Sequence, residues 1–506
     1  MTKNTRTILG WCFYDFANQP FTTIVVTFIY SAYFVGGISS ETGLAGGIVG
    51  SSAMGQVYWG NITAVCAVII ALLSPIMGAA ADQGGHRKSF LLFWTWICII
   101  FSVLLFFPTY GDIYTALILF AIANIAFEMG GVFCNAYVSD ISQSNNMGKI
   151  SGYGYAFGYL GGLLALIFCL FTIYIPEKPM FGISKGDDGV IWESCISNSD
   201  WKEDYGDSKW NDAEPFMDNN SNGFWDPDEF FLDSHILKEK KKERLILEKV
   251  CGVKNGGEQY RAMNVVVAVW FFIFSLFTFA WLDKDRRKKK LNSSLVKDSF
   301  NQLRNTFSNI KRIKNTFRFL LARLFYNDAL ITIFAFGGII AKTVYEFEDI
   351  KMLIFGISLG LAAGLGAFLM GYIDDYIGPK KTIQISNILL VAATIMVVFI
   401  NDETVFWLAG FLVGFASGPN QASSRSLMAR LSPADKQNEF FGFFAFSGKI
   451  TAFLGPILLA QVTFFSLSYL KLSDELAQRA GISVVLLLIV IGSIILYFVD
   501  EENRPQ

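Results

Sequence analysis

The chain has 506 residues, of which 53% are hydrophobic and only 17% are charged, and its formal net charge is −2. Because soluble globular proteins are about one-quarter charged, this composition excludes a disordered chain and most cytosolic enzymes. The near-zero net charge offers no attractive field for polyanions, so we expect no nucleic-acid partner.

Apolar runs of about 20 residues, the length at which a helix crosses a bilayer, recur along the chain. Six of them lie at 11–36, 58–81, 89–108, 113–138, 149–175 and 262–282. Six more lie at 317–342, 352–374, 382–400, 405–430, 440–468 and 480–499. Val265–Leu282 and Val484–Val499 are apolar on every side, which argues against a large soluble helical protein. We therefore predict an all-α membrane protein with twelve transmembrane helices, called spans 1 to 12 in chain order.

Lysine and arginine residues predict the orientation of the spans, because they concentrate in cytoplasmic loops. They occur at 87–88, in 283–316 and at 380–381, whereas loops 109–112 and 401–404 contain none. Both termini are therefore predicted to be cytoplasmic. The predicted organisation is a first half with spans 1–5 at 1–175, an extracytoplasmic insert at 176–261, span 6 at 262–282, a basic cytoplasmic linker at 283–316, and a second half at 317–506.

A short motif occurs once in each half, at the ends of spans 2 and 8. Met77–Lys88 and Met370–Lys381 both read M-G-x-x-x-D-x-x-G-x-[RK]-K. The first glycine allows close helix approach, and the second permits a turn with positive φ. The aspartate can accept from the basic residues or face a neighbouring helix N-terminus. The pair resembles the signature of the major facilitator superfamily, a transporter fold of two six-helix repeats. That resemblance implies gating loops formed by Gly78, Asp82, Gly85, Arg87, Lys88, Gly371, Asp375, Gly378, Lys380 and Lys381.

Further segments narrow the resemblance. Trp11–Asn18, Ile150–Gly162 and Gly418–Ser426 are similar to the vacuole effluxer family of autophagy-related transporters and its bacterial relatives. Fungal members are associated with amino-acid export from the vacuole, and most bacterial members have no assigned substrate. The resemblance implies a secondary active or facilitative transporter of a small solute, with amino-acid efflux as one candidate activity. We expect a monomer in a bacterial inner (plasma) membrane. Gln19–Pro20 and the insert depart from the family pattern.

Six ionisable residues fall inside predicted spans, where such groups usually face a cavity or a partner. They are Asp15, Glu128, Arg323, Asp328, Arg425 and Lys449. Spans 1, 4, 7 and 10 line the central cavity in the resembled fold. We predict that Asp15, Glu128 and Asp328 bind substrate or a coupling proton, and that Arg425 holds a carboxylate. Neutral hydrogen bonds are predicted from Asn18, Asn135 and Asn420. In the alternative interpretation, Asp15 caps span 1 or pairs near the cytoplasmic face, and Arg425 is an interfacial gate residue at the cytoplasmic end of span 10.

The insert is strongly acidic, with 14 acidic and two basic residues between positions 187 and 233. Within it, 218–229 matches the calcium-loop pattern D-x-N-x-N-G-x-x-D-x-x-E. The predicted Ca²⁺ ligands are the side chains of Asp218, Asn220, Asn222, Asp226 and Glu229 and the carbonyl of Phe224. Transport itself requires no cofactor in this interpretation. The alternative for the loop is a solvated acidic cap.

Three functions remain open on the sequence. The first is a solute transporter, and the second is a pump or other enzyme, which the absence of a G-x-x-x-x-G-K-[ST] loop argues against. The third is a calcium-regulated membrane sensor that uses the transporter fold. Cys195 and Cys251 are either bridged or free. The linker is either an amphipathic helix on the inner leaflet or a flexible tether.

Overall fold

The computed structural model describes the helical bundle of the chain. The described residues are 3–35, 47–49, 52–109, 111–143, 145–174, 257–283, 285, 314–343, 345, 347, 349–452 and 454–500. These residues form helices and turns, with no β-strand among them. The predicted calcium loop, Cys195, Cys251 and most of the linker lie outside this part of the chain.

Spans 1 to 6 are helical in the first half. The helices are α1 Lys3–Pro20, α2 Tyr30–Val35, α3 Ser52–Gly84, α4 Arg87–Leu104, α5 Ile113–Ala136, α6 Val138–Ile141, α7 Met147–Cys169 and α8 Glu258–Trp281. Wider π-helical turns at Phe21–Phe28 and Leu170–Tyr174 extend α1 and α7. Helix α8 begins at Glu258, so residues 258–261, the last four of the predicted insert, are helical.

Spans 7 to 12 are helical in the second half. The helices are α9 Lys314–Thr343, α10 Asp349–Ile377, α11 Pro379–Phe399, α12 Glu403–Leu431, α13 Gln437–Lys449, α14 Leu454–Ser468 and α15 Asp474–Tyr497. Several helices exceed the apolar run that predicts them, because a helix can continue with polar residues beyond the hydrocarbon layer. The 33 residues of α3, for example, are about 50 Å long at 1.5 Å per residue.

Within the described residues, nine helical stretches are long and apolar enough to cross a membrane. The three predicted spans that fall short of this criterion are spans 1, 7 and 10, which are formed by α1, α9 and α12. These helices carry Asp15, Asp328 and Arg425. Charged residues lower their hydropathy, so the count of twelve spans stays a prediction even though helix is present at every predicted position.

Span 11 differs from its prediction, because it is two helices rather than one. Helix α13 ends at Lys449, and α14 begins at Leu454. Pro456 is the third residue of α14. A proline has no N–H to donate, and its ring would clash with the Ala452 carbonyl in a continuous helix. Proline is tolerated in a first helical turn, so the chain starts a new helix there.

The two halves meet chiefly along two helix pairs, α3 with α13 and α7 with α10, and also where α7 contacts α12 and α5 contacts α13. Within the first half, α1 packs on α7 and α8, and α4 packs on α5. Within the second half, α12 packs on α10 and α11, and α9 packs on α15. Both copies of the repeated motif lie at one end of this bundle, which we call the repeat end.

Candidate functional site

The first motif copy holds the start of a helix from the other half. The Asp82 carboxylate accepts from the backbone N–H of Asn438 at 3.2 Å, from its side-chain amide at 2.5 Å, and from the N–H of Glu439 at 2.8 Å. These are the second and third residues of α13. Backbone N–H groups of a first helical turn have no partner within the helix and favour a negative charge. Asp82 therefore caps α13 across the interface.

The second copy makes the same kind of contact with the two halves exchanged. Asp375, in α10 of the second half, accepts from the backbone N–H groups of Gly148 at 2.8 Å and Lys149 at 3.0 Å. These are again the second and third residues of a helix, here α7 of the first half. The sequence leaves open whether the motif aspartates accept from the basic motif residues or face a helix N-terminus. In the structure, both aspartates face a helix N-terminus.

The motif glycines occupy the positions that the pattern predicts. A methyl group at Gly78 would overlap the carbonyl oxygen of Asn438, and one at Gly371 would lie 3.0 Å from the carbonyl oxygen of Gly148. Gly85 and Gly378 have φ angles of +65° and +93°. The predicted close approach and tight turns are therefore confirmed, while the gating role of these loops stays a prediction.

The basic motif residues bind helix ends within their own half. Arg87 pairs with Asp140 at 2.6 Å, and the Lys88 ammonium donates to the Leu282 carbonyl at the end of α8, also at 2.6 Å. Lys380 donates to the carbonyls of Tyr497 and Val499 at the end of α15. Cations stabilise helix C-termini, so these contacts anchor the last span of each half. Lys381 is exposed.

One buried ion pair joins the halves. Arg425 of α12 donates to the Asp15 carboxylate of α1 at 3.0 Å, and the two side chains are 2% and 14% exposed. The guanidinium lies 4.0 Å from the ring centre of Tyr155 and 4.9 Å from that of Trp11. Trp11 is fixed in turn, since its indole N–H donates to the Cys134 carbonyl. Aromatic rings and a carboxylate thus hold this guanidinium in one orientation.

A second ion pair joins the halves and is more accessible. Lys449, the last residue of α13, contacts Glu128 of α5 at 2.6 Å, with the side chains 30% and 23% exposed. Arg323 of α9 lies beside this pair. It donates to the Phe444 carbonyl and the Ser447 hydroxyl and stacks 3.6 Å from the ring centre of Phe444. In both pairs the first half supplies the carboxylate and the second half supplies the cation.

The structure places the remaining predicted site residues elsewhere. Asp328 is buried between α9 and α14, where it accepts from the Gly455 N–H at 2.8 Å. Asn420 donates to Asn387, inside the second half rather than toward either ion pair. Asn18 is buried on α1, and Asn135 is half-buried on α5.

Three residues of the second half belong to the repeat end but are not predicted from the sequence. The Asp374 carboxylate is buried and accepts from the Ser426 hydroxyl at 3.2 Å and from Arg430 at 3.4 Å. Arg430 also lies 3.7 Å from Asp375. The doubled aspartate at the end of α10 is the only local signal of this network, because only one of the two fits the motif.

A cavity of about 760 Å³ opens at the repeat end, apart from both ion pairs. Its lining includes the carboxylates of Asp82, Asp140, Asp283, Asp285 and Asp435, together with Arg87. Within the residues that the structure describes, no group of three or more His, Cys, Asp or Glu side chains could hold a metal ion. The predicted Ca²⁺ ligands at 218–229 are not among those residues.

Comparisons with known proteins agree on one family. The family model described as "Vacuole effluxer Atg22 like" matches residues 57–185 and 245–505. An uncharacterized MFS-type transporter, YxiO of Bacillus subtilis (strain 168), is 23% identical over 508 residues, which cover 100% of this chain and 97% of that protein. Autophagy-related protein 22 of Cryptococcus neoformans is 25% identical over 171 residues, which cover 30% of each chain.

Solved structures show the same fold at low sequence identity. The human organic anion transporter MFSD10 (TETRAN) superposes with a TM-score of 0.61 at 13% identity, covering 98% of this chain and 100% of that one. A bacterial homologue of the iron transporter ferroportin, in its outward-facing state, has a TM-score of 0.60 at 10% identity, covering 98% and 99%. The chain therefore has the major facilitator fold, as the repeated motif predicts.

Proposed function

We propose, from the premise that this chain belongs to the vacuole effluxer family, that it moves a small zwitterionic solute across the membrane by alternating access. The family and the fold make the chain a multi-pass membrane transporter. The solute class and the mechanism are our proposal, and the paired charges between the halves support it.

The two ion pairs between the halves carry the proposal. Asp15 and Glu128 belong to the first half, and Arg425 and Lys449 belong to the second. Opening the repeat end separates the halves, so each of these carboxylates and cations loses its partner in the other half. Unpaired charges are costly at membrane depth. A solute with one ammonium and one carboxylate can replace the lost partners, because it offers each half the opposite charge.

The depth of the pairs suits a solute site. Arg425 lies six residues before the end of α12, about 9 Å along the axis, and Glu128 lies eight residues before the end of α5, about 12 Å. The more exposed pair, Glu128 with Lys449, is the proposed point of first contact. Arg323 next to it supplies a second cation for the carboxylate.

We further propose that the repeat end faces the cytoplasm, with both termini on that side of a bacterial inner membrane. The caps by Asp82 and Asp375 then close the inner side in the described conformation. Efflux of neutral amino acids is the specific activity that we propose, in line with the family's description as effluxers.

Counterflow in proteoliposomes tests this function. The full-length protein, loaded with a mixture of unlabelled neutral L-amino acids, should accumulate the labelled mixture without ATP. Glu128→Gln should lower the rate at least tenfold, because Lys449 loses its partner and the site loses its negative charge. Glu403→Gln is the matched control, since Glu403 pairs with Lys351 on an exposed surface away from the repeat end.

Two results would contradict the proposal. No exchange of any amino acid by the wild-type protein would exclude the solute class. Equal rates for wild type and Glu128→Gln would remove the ion pair from the mechanism. In the described part of the chain, no observation favours the calcium-regulated sensor, since the loop that motivates it lies outside that part.

A further inference from the structure

The interruption of span 11 exposes backbone groups at membrane depth. A new helix, α14, begins at Leu454 with Pro456 in its first turn, and this turn presents N–H groups that have no partner within α14. One of them, the N–H of Gly455, donates to Oδ2 of Asp328 at 2.8 Å. Half-helix ends of this kind bind ions and substrates in transporters.

The other oxygen of the same carboxyl group has no partner. Oδ1 of Asp328 is buried and accepts no hydrogen bond, and the whole side chain is 1% exposed. A buried carboxylate that leaves one oxygen unsatisfied is strongly disfavoured as an anion. A proton on Oδ1 removes the charge and leaves the Gly455 hydrogen bond on Oδ2 intact.

No cation neutralises Asp328 within the described residues. Arg323, on the same helix, donates to the Phe444 carbonyl and the Ser447 hydroxyl, and Lys449 pairs with Glu128. No ion pair among these residues includes Asp328, and α14 carries no charged residue. The remaining charged groups that the packed helices bring inside the bundle are Asp374, Asp375, Arg425, Arg430, Glu439 and Arg479.

The first half contains an equivalent close approach of a glycine to another helix, with the neutral Gln19 in place of Asp328. A methyl group at Gly455 would overlap the Thr332 hydroxyl and lie 3.3 Å from Oδ2 of Asp328. Gly162 precedes Gly455 by 293 residues, the same offset that separates the two motif copies. A methyl group at Gly162 would lie 2.7 Å from the Thr23 hydroxyl and 3.0 Å from Cγ of Gln19. Gln19 and Thr23 are four residues apart, as are Asp328 and Thr332. Helix α7 is unbroken here, so only the second half combines an interrupted helix with an ionisable partner.

We propose that Asp328 is the proton-binding site of this transporter and that its protonation controls the interruption between α13 and α14. The inference rests on the proposed transport function. When the proton leaves Oδ1 for water admitted between the halves, the O–H bond breaks, and its electron pair stays on the carboxylate. The anion then requires a further donor, which water supplies, while the Gly455 N–H continues to donate to Oδ2. Lys449 ends α13 beside this interruption, so a shift there alters its contact with Glu128.

Infrared difference spectroscopy tests the protonation without any solute. The full-length protein in lipid, compared between acidic and alkaline pH, should show the carbonyl stretch of a protonated carboxylic acid that loses intensity on titration. Asp328→Asn should lack this band. Asp328→Glu should keep it at a shifted frequency, and it serves as the second variant if Asp328→Asn does not fold. Thr332→Val, which keeps the carboxyl group, is the control and should retain the band.

Transport supplies the second readout, with the mixture of neutral L-amino acids as the probe. In wild-type proteoliposomes a pH gradient should raise net flux, whereas in Asp328→Asn it should raise none. A band unchanged in Asp328→Asn, or stimulation by the pH gradient equal to wild type, would overturn the proposal. Stimulation by a sodium gradient that Asp328→Asn abolishes would also overturn it. If the band titrates as expected but wild type exchanges no amino acid, the proton site stands and the solute class fails.

Discussion

Asp15 and Arg425 are 410 positions apart in the chain and 3.0 Å apart in the structure. The guanidinium is almost fully buried, and its charge is balanced by one carboxylate and two aromatic faces. Removing one member of such a pair leaves an uncompensated buried charge, which is far less favourable than removing both. At the scale of single residues, the contribution of this ion pair to the stability of the interface therefore depends on both side chains.

A double-mutant cycle should reveal this dependence. Asp15→Asn should destabilise the closed conformation by about 3 kcal/mol, because Arg425 stays buried without a counter-charge. The double variant Asp15→Asn with Arg425→Gln should lose less than the sum of the two single variants. Thermal unfolding of purified protein in detergent measures each value. Additive effects would show that the two side chains do not interact in the folded protein.

Arginine and lysine should not be interchangeable at position 425. Arg425→Lys keeps the charge but loses the planar group that stacks on Tyr155 and Trp11. We expect counterflow to fall at least fivefold, with the melting temperature lowered less than in Arg425→Gln. Lys449→Arg is the comparison, since Lys449 stacks on no ring in the described part of the chain. Full activity of Arg425→Lys would mean that charge alone suffices.

At the scale of elements, the interface between α3 and α13 depends on close backbone approach. Gly78 lies against the backbone of Asn438, where no side chain fits. Gly60, on the same helix, is exposed and has no neighbouring atom within 4 Å of where a methyl group would be. The two glycines therefore share a helix and a backbone conformation and differ only in what surrounds them.

Alanine at these two positions should have opposite effects. Gly60→Ala should stabilise the protein by up to about 1 kcal/mol, because alanine has the higher helix propensity. Gly78→Ala should destabilise it by about 1–3 kcal/mol, because the methyl group pushes α13 away. Melting temperatures in one detergent allow the comparison. Similar values for both variants would show that α3 and α13 do not touch at Gly78.

The carboxylate caps should control how often the repeat end opens. Asp375→Asn keeps one acceptor for the α7 N-terminus but loses the charge, which removes about 0.5–1 kcal/mol from the closed state. A cysteine introduced at buried Ser151 should then react with a membrane-impermeant maleimide several-fold faster from the repeat end. Glu403→Gln, remote from that end, should leave the labelling rate unchanged. A labelling rate equal to that of the Ser151→Cys variant with Asp375 intact would show that Asp375 does not control opening of the repeat end.

At the scale of the whole molecule, the same type of contact joins the two halves at two places. Asp82 caps α13 of the second half, and Asp375 caps α7 of the first half, each at the second and third residues of the helix. In the proposed alternating access, opening of the repeat end breaks both caps together with both ion pairs. Such a set of interactions favours two discrete states over gradual deformation.

Locking the halves together should stop transport. The Ser151 hydroxyl donates to the Ala422 carbonyl at 2.7 Å across the interface. Cysteines at these two positions, joined by a short bifunctional thiol reagent with a reducible bridge, should abolish counterflow, and reduction should restore it. Each single cysteine variant, treated in the same way, is the control. Continued exchange by the cross-linked protein would exclude separation of the halves at this end.

Local sequence predicts the helices well, because hydropathy and periodicity depend on neighbouring residues. Helix lies at every predicted span, and the positive φ of Gly85 and Gly378 follows from the motif. The interruption of span 11 is not predicted, because a proline in an apolar run does not by itself indicate a break: Pro75 and Pro419 lie inside continuous helices. The residues that line the site are less predictable than the helices, since Asn420 fits the pattern yet bonds within its own half.

The sequence by itself determined the helical class, the membrane setting, the repeat and six of the charged residues within the spans. Only the tertiary structure decided which charge meets which, because partners such as Glu128 and Lys449 come from helices far apart in the chain. It also decided that the motif aspartates cap helices of the opposite half rather than bind their own lysines and arginines. A side chain's type is a local property of the chain, whereas its partner depends on how two halves pack in space.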